Sequence, residues 1–129
     1  MKKILIVEDE LAYLTLMNTT LSKSYEVCQA RNGREGLAQA RKQHPDLILL
    51  DIKMPVMDGL AMLDELRQEP YGKNAKVILL TNLEPSERII GKVVKDLPTY
   101  YWVKSDIQLR DLVEKVRELL EGTPQPLAA

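Results

Sequence analysis

Short apolar runs alternate with amphipathic segments along the chain. The five apolar runs are Ile4–Val7, Tyr25–Ala30, Leu47–Leu50, Val77–Leu80 and Tyr100–Val103. Their lengths and their β-branched or aromatic side chains are typical of strands. Between them, apolar residues recur every three or four positions, which is the spacing of one helix face. The pattern therefore predicts five strands alternating with five helices.

The predicted helices are defined by their apolar positions and by signals at their ends. Those positions are Leu11, Leu14, Met17 and Leu21; Leu37, Ala38 and Ala40 within Gly33–Lys42; Leu60, Leu63 and Leu66; Ile90, Val93, Val94 and Leu97; and Leu109, Leu112, Val113, Val116 and Leu120. Asn32 and Glu35 have the spacing of a capping box before the second helix. Ser105 and Gln108 repeat it before the fifth, which Gly122 should end.

Alternating strands and helices predict a parallel sheet that is covered on both faces. The first, third and fourth runs are almost entirely apolar, as central strands should be, so the second and fifth runs belong at the edges. We expect an α/β fold, a doubly wound five-stranded parallel sheet of flavodoxin-like order 2-1-3-4-5 with five helices. It should form one domain over residues 1–121, with residues 122–129 as a flexible tail or linker stub.

The composition excludes several classes of protein. Hydrophobic residues make up 45% and charged residues 29% of 129, and the net charge of −1 creates no field that attracts nucleic acid or a membrane. Cys28 is the single cysteine, which excludes an intrachain disulfide and predicts a buried structural thiol. No run has the length of a signal peptide or membrane span, so we expect a cytoplasmic protein.

Polar residues follow the strands of the predicted sheet. Ligands bind at the carboxyl ends of strands in doubly wound folds. The residues at these ends are Glu8 and Asp9 after the first strand, Asp51 after the third, Thr81 after the fourth and Lys104 after the fifth. Because the first and third strands are neighbours, the three carboxylates should meet, with Asp51 held rigidly at a solvent-open turn.

The chemistry of these residue types favours phosphoryl transfer. Carboxylates ~4 Å apart repel by about 4 kcal/mol per pair at an effective dielectric of about 20, and Mg²⁺ removes that cost. The turn after Asp51 offers a further ligand, the backbone carbonyl of Lys53. Lys104 supplies positive charge for phosphoryl oxygens and Thr81 a hydroxyl donor. Asp51 would then be the nucleophile.

Each residue also has an ordinary structural interpretation. Glu8 and Asp9 favour the start of the first helix through its dipole. Asp51 suits a turn, Thr81 a strand, and Lys104 a solvated strand end. The agreement of four successive strand ends on one anion-and-metal site favours the functional interpretation.

With these residues the chain resembles the receiver domains of bacterial two-component response regulators, similar to free-standing chemotaxis-type receivers. The resemblance covers Lys2 to Glu121, and its motifs are Glu8-Asp9, Asp51-Ile52-Lys53-Met54-Pro55-Val56-Met57-Asp58-Gly59, Thr81, and Tyr101 three residues before Lys104. It implies that Asp51 accepts a phosphoryl group from a sensor histidine kinase, a phosphotransfer protein or a small phosphodonor. It also implies that Glu8, Asp9 and Asp51 bind Mg²⁺.

The resemblance further implies a switch. Thr81 and Lys104 contact the phosphoryl group, and Tyr101 changes rotamer as Thr81 moves toward it. We expect this to shift an inactive–active equilibrium on the surface of the fourth helix, fifth strand and fifth helix. An unknown output protein should bind that surface, and a homodimer on activation is also possible.

Three positions depart from the family's usual pattern. Ser105 replaces a proline after the lysine, so the loop that positions Lys104 should differ. Asn82 replaces a very small residue and narrows the phosphoryl entrance. Lys53 places a flexible cation near Asp51, and with Leu83 it should tune hydrolysis of the phosphoryl group.

Two other functions compete with a signal receiver that assists its own phosphorylation and dephosphorylation. An enzyme of the haloacid-dehalogenase type needs a carboxylate two residues after its nucleophile, and Lys53 stands there. A receiver-like adaptor would bind partners without phosphorylation, and it remains the alternative function. Direct binding of nucleic acid is not expected, because the charge is balanced and no recognition motif is present.

Overall fold

The structure is a computed structural model that describes residues 1–82, 91 and 99–122. Its strands are β1 (Lys3–Val7), β2 (Glu26–Ala30), β3 (Leu47–Leu50), β4 (Val77–Thr81) and β5 (Thr99–Val103). All neighbouring pairs are parallel, and the order is β2-β1-β3-β4-β5. The predicted flavodoxin-like sheet, with the second and fifth strands at its edges, is confirmed.

The helices among the described residues are α1 (Leu11–Leu21), α2 (Gly33–Gln43), α3 (Gly59–Arg67) and α4 (Leu109–Glu121), with short 3₁₀ helices at Gly72–Asn74 and Lys104–Asp106. α4 is the fifth helix of the sequence prediction. The predicted fourth helix lies outside the described ranges apart from Gly91, which is helical, and so does the predicted tail after Gly122. Among the described residues, no helix has the length and apolar character that a membrane span requires.

The sheet separates two apolar layers. Alternate residues of β1 point to opposite sides, so Leu5 and Val7 pack under α2 and α3, whereas Ile4 and Ile6 pack under α1 and α4. Each large apolar side chain removed from water contributes about 1.5–3 kcal/mol. Because β1, β3 and β4 are buried on both faces, the residues that follow them are fixed in position.

The helix ends explain one correct and one wrong prediction. The Asn32 side chain accepts a hydrogen bond from the Glu35 backbone N–H at 2.9 Å, so this cap is confirmed. The predicted capping box of Ser105 and Gln108 is wrong. Ser105 lies in a 3₁₀ turn, which moves the start of α4 past it, and the N-cap residue Gln108 makes no side-chain cap bond.

Cys28 is half-buried on β2 and its Sγ lies 3.7 Å from the carbonyl oxygen of Ile4. Burial raises the pKa of the thiol, which opposes formation of the reactive thiolate. A structural thiol fits these surroundings, although it is less buried than expected because β2 is an edge strand.

Candidate functional site

The carboxylates meet because β1 and β3 end side by side. Val7 is the register partner of Leu50, and the Asp51 N–H donates to the Val7 carbonyl at 3.0 Å. The next residues along both strands therefore face one another. Carboxylate oxygens of Glu8, Asp9 and Asp51 lie within 4.8 Å of one another, a spacing that one metal ion can bridge.

These carboxylates are less exposed than the sequence suggested. Glu8 is 1% exposed and Asp51 8%, while Asp9 is half-buried. Asp51 is therefore more buried than a solvent-open turn would leave it, although it still lines an open cleft, and the Lys104 ammonium lies against it. Burial raises the pKa of Glu8 to about 7; the nearby Asp51 charge adds to this, and the hydrogen bond from Lys104 opposes it.

Lys104 follows β5 directly and its side chain crosses to the carboxylates. Its Nζ lies 2.6 Å from Glu8 Oε2 and 3.4 Å from Asp51 Oδ2, and the lysine side chain is only 9% exposed. Burial alone would lower the pKa of Lys104, but the bond to Glu8 and the charge of Asp51 raise it. Ser105 does not prevent Lys104 from reaching the site.

Tyr13 is a further member of the site that sequence reasoning missed. Its ring centroid lies 4.4 Å from the Lys104 Nζ, and the ring is half-buried on α1. A sequence signal exists, since Tyr13 lies in the first turn of α1, the helix that follows the acidic pair. Its contact with Lys104, however, depends on the tertiary fold.

The loop after Asp51 is fixed by a close backbone approach. The Gly59 N–H donates to the Ile52 carbonyl at 2.8 Å, and a Cβ at Gly59 would lie only 2.1 Å from the Asp51 carbonyl oxygen. The Asp58 carboxylate accepts a hydrogen bond from the Ala61 N–H at 2.8 Å and caps α3. The residues that end the Asp51–Gly59 string thus hold Asp51 in place.

An open cleft of about 520 Å³ lies over the carboxylates. Its lining residues are Glu8, Asp9, Glu10, Asp51, Lys53, Thr81, Asn82 and Lys104. Thr81 is 2% exposed, while Lys53 and Asn82 are exposed at the rim. Tyr101 pairs in register with Leu79 and packs, half-buried, against the core under α2 and α3. Its rotamer switch and the Lys53 carbonyl as ligand stay predictions.

Comparisons with known proteins agree with this geometry. Residues 4–117 match the family model described as "Response regulator receiver domain". "Sporulation initiation phosphotransferase F" of Bacillus subtilis is 35% identical over 116 residues, covering 88% of this chain and 92% of that protein. The solved structure of chemotaxis protein CheY4 of Vibrio cholerae has a TM-score of 0.83 at 30% identity, covering 93% of this chain and 99% of that one.

Some relatives are longer than this chain. "Probable transcriptional regulator ycf27" of Cyanophora paradoxa is 35% identical over 127 residues, which cover 97% of this chain but 51% of the relative. The chain thus spans about half the length of this relative.

Proposed function

This chain belongs to the response regulator receiver domains of two-component systems, and from that membership we propose that it is a phosphoacceptor signalling module. Asp51 takes a phosphoryl group from a sensor histidine kinase, a phosphotransfer protein or a small phosphodonor. Glu8, Asp9, Asp51 and the Lys53 carbonyl would hold Mg²⁺, and the ion would supply positive charge to the carboxylates and the phosphoryl oxygens.

The observation that carries the proposal is the Lys104 ammonium beside the clustered carboxylates. Asp51 is 8% exposed and lies within 4.8 Å of two further carboxylates and 3.4 Å from the Lys104 ammonium. The site therefore brings together a candidate nucleophile, a candidate metal site and a fixed cation. A structural ion pair needs no such cleft above it. The phosphotransferase named among the relatives supports the same reaction class.

The chain's own residues have distinct parts in the transfer. An Asp51 carboxylate oxygen attacks phosphorus in line, and the bond from phosphorus to the donor breaks with its electron pair leaving on the donor. Lys104 stabilises the charge on the phosphoryl oxygens, and the Thr81 hydroxyl donates to one of them. The product is an aspartyl phosphate. The phosphoryl group ends on the chain's own Asp51, so the chain would act as a signal receiver that assists its own phosphorylation.

The signal is proposed to leave through β5, α4 and the predicted fourth helix. Thr81 ends β4 and pairs with Val103, so its movement toward a phosphoryl group reaches β5 directly. Tyr101 would follow by a rotamer change, and an output protein or a second copy of the chain would bind the shifted surface. A change from 1:99 to 99:1 requires about 5.5 kcal/mol of differential binding. Unchanged partner affinity in Tyr101→Ala would contradict this route.

The decisive experiment measures the adduct. The protein is incubated with acetyl phosphate and Mg²⁺, and intact mass spectrometry compares wild type with Asp51→Asn and with Lys53→Met. Wild type should gain one phosphoryl group that hydroxylamine removes, as an acyl phosphate requires. Asp51→Asn should gain none. Lys53→Met should remain phosphorylatable, because Lys53 is exposed at the rim.

The absence of an adduct on wild type, from acetyl phosphate and from a panel of histidine kinases, would overturn the proposal. It would instead favour an adaptor that binds partners without phosphorylation. An adduct of equal yield on Asp51→Asn would also refute the assignment of Asp51.

A further inference from the structure

The Lys104 ammonium has an aromatic partner as well as two anionic ones. The Tyr13 ring centroid is 4.4 Å from Nζ, inside the range of about 6 Å over which a cation is attracted to a ring face. The ring packs against the core under α1 and α4. Because the Lys104 side chain is only 9% exposed, the ammonium is largely removed from water. Cation–π contacts are strongest in such desolvated surroundings.

The three partners differ in what else they do. Glu8 and Asp51 are candidate metal ligands, so a bound cation shares their charge, and Asp51 is also the proposed nucleophile. Tyr13 lies outside the acidic cluster and carries no charge. Of these three partners, Tyr13 is the one that can keep its contact with Lys104 during the proposed reaction.

We propose that Tyr13 is a positioning residue for Lys104. Its ring keeps the ammonium beside the phosphoryl site while the Glu8 and Asp51 carboxylates interact with the metal ion and the phosphoryl group. It thereby accelerates phosphoryl transfer. The inference rests on the proposed phosphoacceptor function. The benefit arises because a charge already in place when the transition state forms needs no further reorganisation.

The test compares three variants by the initial rate of Asp51 phosphorylation with acetyl phosphate and Mg²⁺. Tyr13→Leu removes the ring and should lower the rate about fivefold, the effect of a partly desolvated cation–π contact. Tyr13→Phe keeps the ring face and should retain more than half of the rate. Tyr13→Met also removes the ring, and its flexible side chain fills irregular space. It replaces Tyr13→Leu in the test if the leucine variant folds poorly.

A double-mutant cycle separates positioning from a general effect on the fold. In a Lys104→Met background, Tyr13→Leu should change the remaining rate less than twofold, because the ammonium that the ring positions is gone. The same fivefold loss with and without Lys104, or equal losses in the Phe and Leu variants, would overturn the inference.

The two hypotheses fail differently. If wild type forms the adduct and Tyr13→Leu forms it at the same rate, the positioning role is refuted and the phosphoacceptor function stands. If wild type forms no adduct from any donor, the function fails and the positioning role fails with it.

Discussion

Replacing Lys104 by methionine removes the cation between two buried carboxylates. At 2.6 and 3.4 Å and an effective dielectric of about 20, the gross attractions to Glu8 and Asp51 are about 6 and about 5 kcal/mol. Dehydration of the charges offsets much of this. Removing one partner of a buried pair typically costs about 3–5 kcal/mol, because the other charge stays buried. We therefore expect Lys104→Met to lose roughly 3 kcal/mol in free energy of unfolding.

The assay is urea unfolding at about pH 8, where Glu8, with its pKa of about 7, is ionised. In EDTA the full loss should appear, and it is large against a typical total stability of about 5–15 kcal/mol. Saturating Mg²⁺ should stabilise the variant more than wild type, because a bound cation replaces the missing charge. Lys53→Met is the matched control, and its exposed lysine should cost less than about 0.5 kcal/mol.

Two results would refute this reasoning. Equal stability of Lys104→Met and wild type in EDTA would mean that the buried pairs contribute nothing net. Equal losses in the two lysine variants would point to overall charge instead of the contacts of Lys104.

The remaining predictions concern the same loop and carboxylates. The pKa of Glu8 is raised from 4.5 to about 7, so between these pH values the folded state keeps a proton that the unfolded chain has lost. The free energy of unfolding in EDTA should therefore fall as the pH rises from about 4.5 to 7. Urea titrations of Glu8→Gln should show a flatter pH dependence. Asp51→Asn removes a like charge beside Glu8 but also the ion pair with Lys104. Because Lys104 keeps Glu8, its nearer partner at 2.6 Å, stability at about pH 8 should rise by roughly 1 kcal/mol in the same assay, and a lower stability would contradict this. Gly59→Ala forces a Cβ to within 2.1 Å of a carbonyl oxygen and should lower the thermal midpoint, with a loss of about 2 kcal/mol or more, whereas Gly91→Ala, with nothing within 4 Å, should cost nothing.

The sheet was predictable because a buried parallel strand leaves a simple pattern. Leu47–Leu50 is apolar at every position, and its predicted and observed bounds are identical. Once the strand order follows, elementary topology brings the residues after β1 and β3 together. The carboxylate cluster needed no further information than this.

Other features depend on contacts that no local pattern encodes. The spacing of Ser105 and Gln108 suits a cap, but the backbone forms a 3₁₀ turn at Ser105, and α4 begins later. Tyr13 is an ordinary apolar position of a helix until Lys104 reaches it from the far end of the chain. The ion pair of Asp51 with Lys104 likewise depends on how the lysine side chain crosses the cleft.

The electrostatics of the site connect its stability with its proposed role. Three clustered carboxylates and one ammonium leave two negative charges uncompensated when all are ionised. Burial raises the pKa of Glu8, and protonation of Glu8 removes part of this excess negative charge, while Lys104 keeps its proton. A sequence selected for stability alone would remove one carboxylate, since a buried charge without a partner is costly. With all four groups ionised, the deficit equals the charge that one divalent cation supplies, which favours a site that is completed by a bound metal ion.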